Sequence, residues 1–226
     1  EAEIAKFRHI CQLVSDAFHA LPKQISPSMT ERYICKRLQI DILARGADST
    51  PYLMGASGPG SYASIIMGPT DRALTPGDIL IIDTGATFDG YFCDFDRNFA
   101  FGTPSRAAED AHAVVHAATD AGFEAARPGA TTHQVWCAMW TVLEQGGALG
   151  NDVGRMGHGL GMQLTEWPSN MGGDNTVLAP GMVMTLEPGM EFAPGQLMVH
   201  EENIVIRESG AEWLTRRAPR SMPVIQ

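Results

Sequence analysis

The chain has 226 residues, a formal charge of −10, 44% hydrophobic and 19% charged residues, a balance ordinary for a globular domain. Its acidity argues against nucleic acid and anionic membrane surfaces as partners, and part of it fits a metal site counted without its metal. No apolar run is long enough to span a bilayer and no signal peptide opens the sequence, so the expected location is the cytoplasm. Four scattered cysteines (Cys11, Cys35, Cys93 and Cys137) without C-x-x-C spacing fit reduced, mostly buried thiols. A start at Glu1 rather than Met leaves room for an upstream domain.

Apolar residues Ile4, Phe7, Ile10, Cys11, Val14, Phe18 and Leu21 recur at helical spacing and predict a first helix over 3–21. Pro27 and Ser28 interrupt it, Thr30 is placed to cap a second helix running to about Arg45, and Gly46 ends that one. From Pro51 to Phe101 the signals are those of strands. Their turns are expected at Gly58-Pro59-Gly60, Gly68-Pro69 and Pro76-Gly77. Pro104-Ser105 opens an Ala-rich helix to about Arg127, and Thr132 starts another. Strand-like pieces follow around 161–165, 182–187 and 197–206. Two helices and a set of strands are thus followed by two helices and another set. Pairing Thr30 with Thr132 also pairs Cys35 with Cys137, which suggests a duplicated half packed around a central site. No linker or low-complexity tract divides the chain.

The stretch IIDTGATFDGYFCDFDRNF (81–99) carries the first chemistry. Asp83 is expected at a buried strand end, with Gly85, Asp89 and Gly90 as turn residues. Tyr91-Phe92-Cys93 then starts a returning strand that brings Asp94 to face Asp83. Two carboxylates meeting in an apolar setting repel each other unless one keeps its proton or a cation sits between them. Three later segments offer further ligands: His158 in GHGLGMQLTEWP, Glu187 in VMTLEPG and Glu201 in LMVHEENIVI. Singly, His158 also serves as a satisfied loop histidine, Glu187 as a strand-end carboxylate and Glu201 as a surface partner of Arg207. Together with Asp83 and Asp94 they form a carboxylate-rich set with one imidazole, suited to hard or borderline divalent ions.

These segments resemble the metal signature of the pita-bread metallopeptidases, the family of methionine aminopeptidase, aminopeptidase P, prolidase and the metal-free creatinase. The motifs D-x-G…G-Y-x-x-D, G-H-G-x-G, T-x-E-P-G and E-x-N-I-V follow in the family's order, and Asp94 lies 11 positions after Asp83 as in that family. PTDRALTPGD (69–78) resembles the lead-in segment of its Xaa-Pro branch. The resemblance implies an α+β, pseudo-two-fold pita-bread domain spanning 1–226, with a possible homodimer. It implies two divalent ions (manganese first; cobalt, iron or zinc as alternatives). Asp83 would chelate one, His158 and Glu187 the other, and Asp94 and Glu201 would bridge. Glu187 is the candidate proton shuttle. The implied substrate is a short peptide with a Xaa-Pro bond.

Three positions depart from the family. Its substrate-side histidines are replaced by Thr165, a weaker donor, and by Ile66, which donates nothing; each such donor is worth about 10²–10³ in rate. Asp96 stands where Thr is usual, either as a local partner of Arg97 or as an extra carboxylate near the metal shell. Trp167, beside the site, would stack on a proline ring or a methylated cation, or serve as a plain rim aromatic. Thr165 is therefore a candidate catalytic donor, and Ile66, Asp96 and Trp167 are candidate pocket residues. An alternative keeps the fold and metals but takes a small zwitterionic, non-peptide substrate, as a C–N hydrolase or a lyase of the dimethylsulfoniopropionate type. A single Asp-Thr-Gly turn among long helices does not make an aspartic protease. A binding module that had lost catalysis would be expected to have lost ligands.

Overall fold

The computed structural model describes residues 1–26, 28–150 and 154–225; Pro27, the expected helix breaker, lies outside them. Helix α1 (Ala2–Ala20) buries Ile4, Phe7, Ile10, Cys11, Val14 and Phe18. A short 3-10 turn over Leu21–Gln24 leads to α2 (Glu31–Ala44), capped by the Thr30 hydroxyl accepting from the Tyr33 amide. Gly46 follows at φ +112°, a backbone region that favours glycine.

The first sheet has the order β1 (Ser49–Pro59), β2 (Asp78–Phe88), β3 (Tyr91–Phe101) and β11 (Val224–Ile225). Asp89 and Gly90, both at positive φ, form the two-residue turn between β2 and β3. That turn sets the register, and it differs from the expected one. Asp83 lies opposite Asp96, whereas Asp94 lies opposite Gly85, one pair along on the same face. Asp83 is also inside β2 rather than at its end. Gly85 is a strand residue whose missing Cβ leaves room for the Leu164 side chain.

The second half begins with α3 (Arg106–Ala125), capped by Ser105, and α4 (Thr132–Gln145), which starts at a capping box of Thr131 and Gln134. Its sheet has the order β10 (Gly210–Trp213), β9 (Glu202–Arg207), β6 (Val183–Leu186), β4 (His158–Gly159) and β5 (Glu166–Ser169). A separate ribbon pairs β7 (Gly189–Ala193) with β8 (Gln196–Val199). The strand expected at 161–165 is instead a bent connection between β4 and β5. The expected run 197–206 is broken at His200-Glu201.

The two halves anchor their second helices in the same way. Around α2, Thr30 bridges Ala73, Glu31 N donates to Arg72 O and Arg32 N to Thr70 O. Around α4, Thr131 bridges Val177, Thr132 N donates to Thr176 O and His133 N to Asp174 O. This pseudo-two-fold match equates Thr30 with Thr131, one residue away from the expected pairing with Thr132. Strand β2 serves both cores. Leu80 and Ile82 pack with α1 and α2, Ile79 and Ile81 with α3 and α4, and each fully buried aliphatic contributes about 1.5–3 kcal/mol. Side-chain alternation then turns Asp83, Asp94 and Asp96 away from Phe95 and Phe99, which pack on Phe18 of α1. No described helix is long and apolar enough to cross a membrane.

Candidate metal centre

A cavity of about 680 Å³ opens between the halves, and Asp83, Asp94, His158, Glu187 and Glu201 all line it. Each comes from a different element. Asp83 and Asp94 project from β2 and β3, and His158 from β4. Glu187 follows β6, with its amide donating to Met156 O at 3.1 Å. Glu201 sits in the break between β8 and β9. It is buried, so the surface pairing with Arg207 does not occur; Arg207 pairs with Glu1 and Glu212.

His158 is held in one orientation. Its amide donates to Thr185 Oγ1 at 3.1 Å and its Nδ1 to Gly159 O at 2.9 Å, which leaves Nε2 facing Asp94 Oδ2 at 3.4 Å. The flanking glycines make this possible. A Cβ on Gly157 (φ +120°) would strike the carbonyl of Thr185, and one on Gly159 would strike the backbone of Trp167. Ligand atoms of Asp94, His158 and Glu201 lie within 4.8 Å of one another.

The electrostatics ask for a cation. Burial first, then Asp94, Asp96 and Glu187, pushes the Asp83 carboxyl well above the usual carboxylate range. Burial and the neighbouring acids do the same to Glu201, and raise Glu187 to about 8. Asp83 Oδ1, Asp94 Oδ1, Asp96 Oδ1 and Glu201 Oε1 are buried without a hydrogen-bond partner. Orphaned carboxylate oxygens converging beside a committed imidazole fit a divalent metal and leave few other ways to offset the cost of their burial.

Beneath the cavity, Arg97 fixes the backbone at Asp96 and Glu201. Its Nη1 donates to Asp96 O at 2.6 Å and Glu201 O at 3.1 Å, and its Nη2 to Glu202 Oε2 at 2.9 Å. Burial opposes ionisation of Glu202, but Arg97, His200 and Arg217 outweigh it and hold the carboxyl well below the usual range. The Arg97 fork therefore does not pair with the Asp96 side chain. Asp96 is 2% exposed, lies across from Asp83 below the cavity wall, and is pushed by burial to about 7.

The other candidates separate. Thr165 lines the cavity and accepts from Arg155 Nη2 at 3.3 Å, while Ile66 forms part of the rim and is 77% exposed. Trp167 is not in the cavity. Its backbone carbonyl packs toward Gly159, and its indole, 72% exposed, borders a separate groove with Met162 and Tyr91. Among the lining residues with no signal in the sequence, two carry charge or bond a candidate ligand. Tyr52 on β1 donates its hydroxyl to Asp83 Oδ2 at 2.9 Å, and Arg155 stands three positions before His158. Only strand pairing reveals Tyr52, which lies opposite Gly85.

The profile of metallopeptidase family M24 matches residues 5–208. The probable dipeptidase PepE of Mycobacterium tuberculosis is 34% identical over all of this chain, which covers 60% of that protein. Among solved structures, dipeptidase PepE from Mycobacterium ulcerans superposes with a TM-score of 0.93 at 30% identity, over 100% of this chain and 60% of the other. The prolidase from Pyrococcus furiosus gives 0.90 at 27% identity, over 97% and 65%. The chain thus spans about 60% of the length of the curated dipeptidases it matches. The match takes in both helix pairs and every segment that reaches the cavity, so the kinship is that of a whole scaffold rather than one motif: the chain belongs to metallopeptidase family M24.

Proposed function

We propose that residues 1–226 form the catalytic domain of a dinuclear metallopeptidase that cleaves the Xaa-Pro bond of short peptides. The observation that carries this is the convergence of orphaned carboxylate oxygens with His158 Nε2 in one cavity. Asp83, Asp94, His158, Glu187 and Glu201 would hold two divalent ions, manganese first. Such a pair, when bound, supplies Lewis-acid activation of water and of the scissile carbonyl. Glu187, a carboxylate partly exposed to the cavity, is placed to take a proton from the attacking water and return it to the leaving amine. The Thr165 hydroxyl accepts from Arg155 and keeps its own hydrogen to donate toward the cavity, and Ile66 supplies apolar contact for a proline ring. The dipeptidase and prolidase names of the relatives favour a peptide over a small non-peptide substrate. Four free thiols support action in a reducing compartment such as the cytoplasm.

The test is turnover of manganese-loaded protein on a pool of Xaa-Pro di- and tripeptides, read by mass spectrometry, with Asp83→Ala as control. Release of the N-terminal residue by the parent and not by the control is expected. Two equivalents of bound metal without cleavage would overturn the peptidase assignment.

A further inference from the structure

The floor of the cavity carries four carboxylates, and its walls are apolar at Ile65, Ile66, Leu164, Met171 and Leu197. Among the described residues lining it, Arg155 is the one permanently cationic side chain. A guanidinium cannot ligate a metal, and no carboxylate among the described residues forms an ion pair with this one. Its single side-chain hydrogen bond there runs from Nη2 to the neutral Thr165 hydroxyl at 3.3 Å, which orients the group without cancelling its charge. Most of its five N–H donors have no partner among the described residues. The charge is felt inside the site, because Arg155 favours the ionised forms of both Asp94 and Glu187. Once those acids are committed to metal, the guanidinium is left as a fixed positive fork on the cavity wall. It stands on the same short segment as the metal-facing His158.

We propose that Arg155 is a specificity-determining residue that pairs with the free C-terminal carboxylate of a dipeptide. The proposal rests on the peptidase reading above and names its substrate class. An arginine fork matches a carboxylate bidentately, and one close to the centre reads chain length. Adding one residue moves the terminal carboxylate by up to about 3.5 Å, beyond hydrogen-bond tolerance, and amidation removes the charge altogether. The wall that holds Thr165 thus distinguishes dipeptides from longer or blocked peptides by its one cation.

The experiment uses calorimetric binding to manganese-loaded protein of a reduced-bond Ala-Pro analogue that cannot be hydrolysed, as the free acid and as the carboxamide. Alongside it runs turnover of Ala-Pro and Ala-Pro-amide. The parent is expected to bind the acid about 10–100-fold more tightly than the amide, as for a charged hydrogen-bonded pair. Arg155→Met is expected to bind both at the amide level and to raise KM for Ala-Pro by the same factor, with kcat within about 3-fold. Arg155→Lys recovers part of the preference. Equal binding of acid and amide by the parent overturns the proposal, as does an equal loss of both in Arg155→Met, which would reduce Arg155 to a tie for the Thr165 loop. Acid-selective binding that depends on Arg155, without turnover of any peptide, would sustain this assignment and overturn the peptidase reading instead.

Discussion

The Asp83 carboxylate is oriented by what occupies one of its two oxygens. Asp83 gives Oδ2 to the Tyr52 hydroxyl at 2.9 Å and keeps Oδ1 without a partner, so Tyr52 decides which oxygen points at the centre. Tyr52→Phe is expected to weaken divalent-metal binding about 10–100-fold, the usual effect of removing a partner that orients a ligand, while the fold is retained. A metal titration giving parental affinity would show that Asp83 is oriented by its strand alone. The five candidate ligands, which the fold brings into one cavity, stand out in the sequence because their residue types, order and spacing are specific. The partnership of Asp83 with Asp96 was harder to see, although its determinant was present. Asp89 and Gly90 form a two-residue turn that pairs Phe88 with Tyr91, and counting back from there sets Asp83 against Asp96. Tyr52 was not legible, because only strand pairing brings it to the site, and Arg155, although three residues before His158, carries no signal in its residue type that it faces the cavity.

At the level of elements, the site depends on strands too short to hold together by their own ladders. Strand β4 is two residues long, paired on one side to β6 and on the other, with a register shift, to β5. Close backbone approach at its glycines compensates for that shortness. Gly157→Ala is expected to cost well over about 2 kcal/mol, since it adds a Cβ against the Thr185 carbonyl to the strain of positive φ. Gly147, at φ +85° with open space around its Cβ position, provides the comparison. Its change to Ala is expected to cost only about 1–2 kcal/mol. Urea midpoints measure both, and equal losses would refute the packing role of Gly157. The long helices were readable to within a residue or two from their periodicity and caps. The pieces near β4 were not, because the stretch after His158 shows an alternation that tertiary contacts bend into a connection. Helix α4 starts at Thr132 as expected; the repeat pairing moves by one residue because Thr30 is a cap, and its counterpart is the cap Thr131, which Gln134 completes as a capping box.

Over the whole molecule, the fold gathers negative charge from both halves into its centre and so ties stability to metal and to pH. Without metal, Asp83, Glu187 and Glu201 have folded-state pKa values above their unfolded ones, Glu187 at about 8. At Glu187 the native state therefore keeps a proton that the unfolded chain has lost between about pH 4.5 and 8. The contribution of the three carboxyls favours the fold at low pH and is lost as pH rises through their folded values, about 8 for Glu187. Buried histidines oppose this. Burial lowers His112 to about 4 and His200 to about 3, so each is neutral in the fold and costs stability as pH falls below 6.5. In the proposed centre metal acts on the first set only, since ligation would require those carboxylates ionised. The rise in Tm on adding manganese isolates the carboxylates, because the histidine contribution is common to both states. That rise is expected to grow from pH 6 to pH 8, and binding at pH 7 is expected to release protons, seen as a buffer-dependent calorimetric enthalpy. A metal-induced rise in Tm that is independent of pH, with no proton release, would mean that the acids are already ionised in the metal-free fold. The orphaned oxygens of Asp83, Asp94 and Glu201 would then have to be stabilised by water or by Arg155 rather than by protons that a metal displaces.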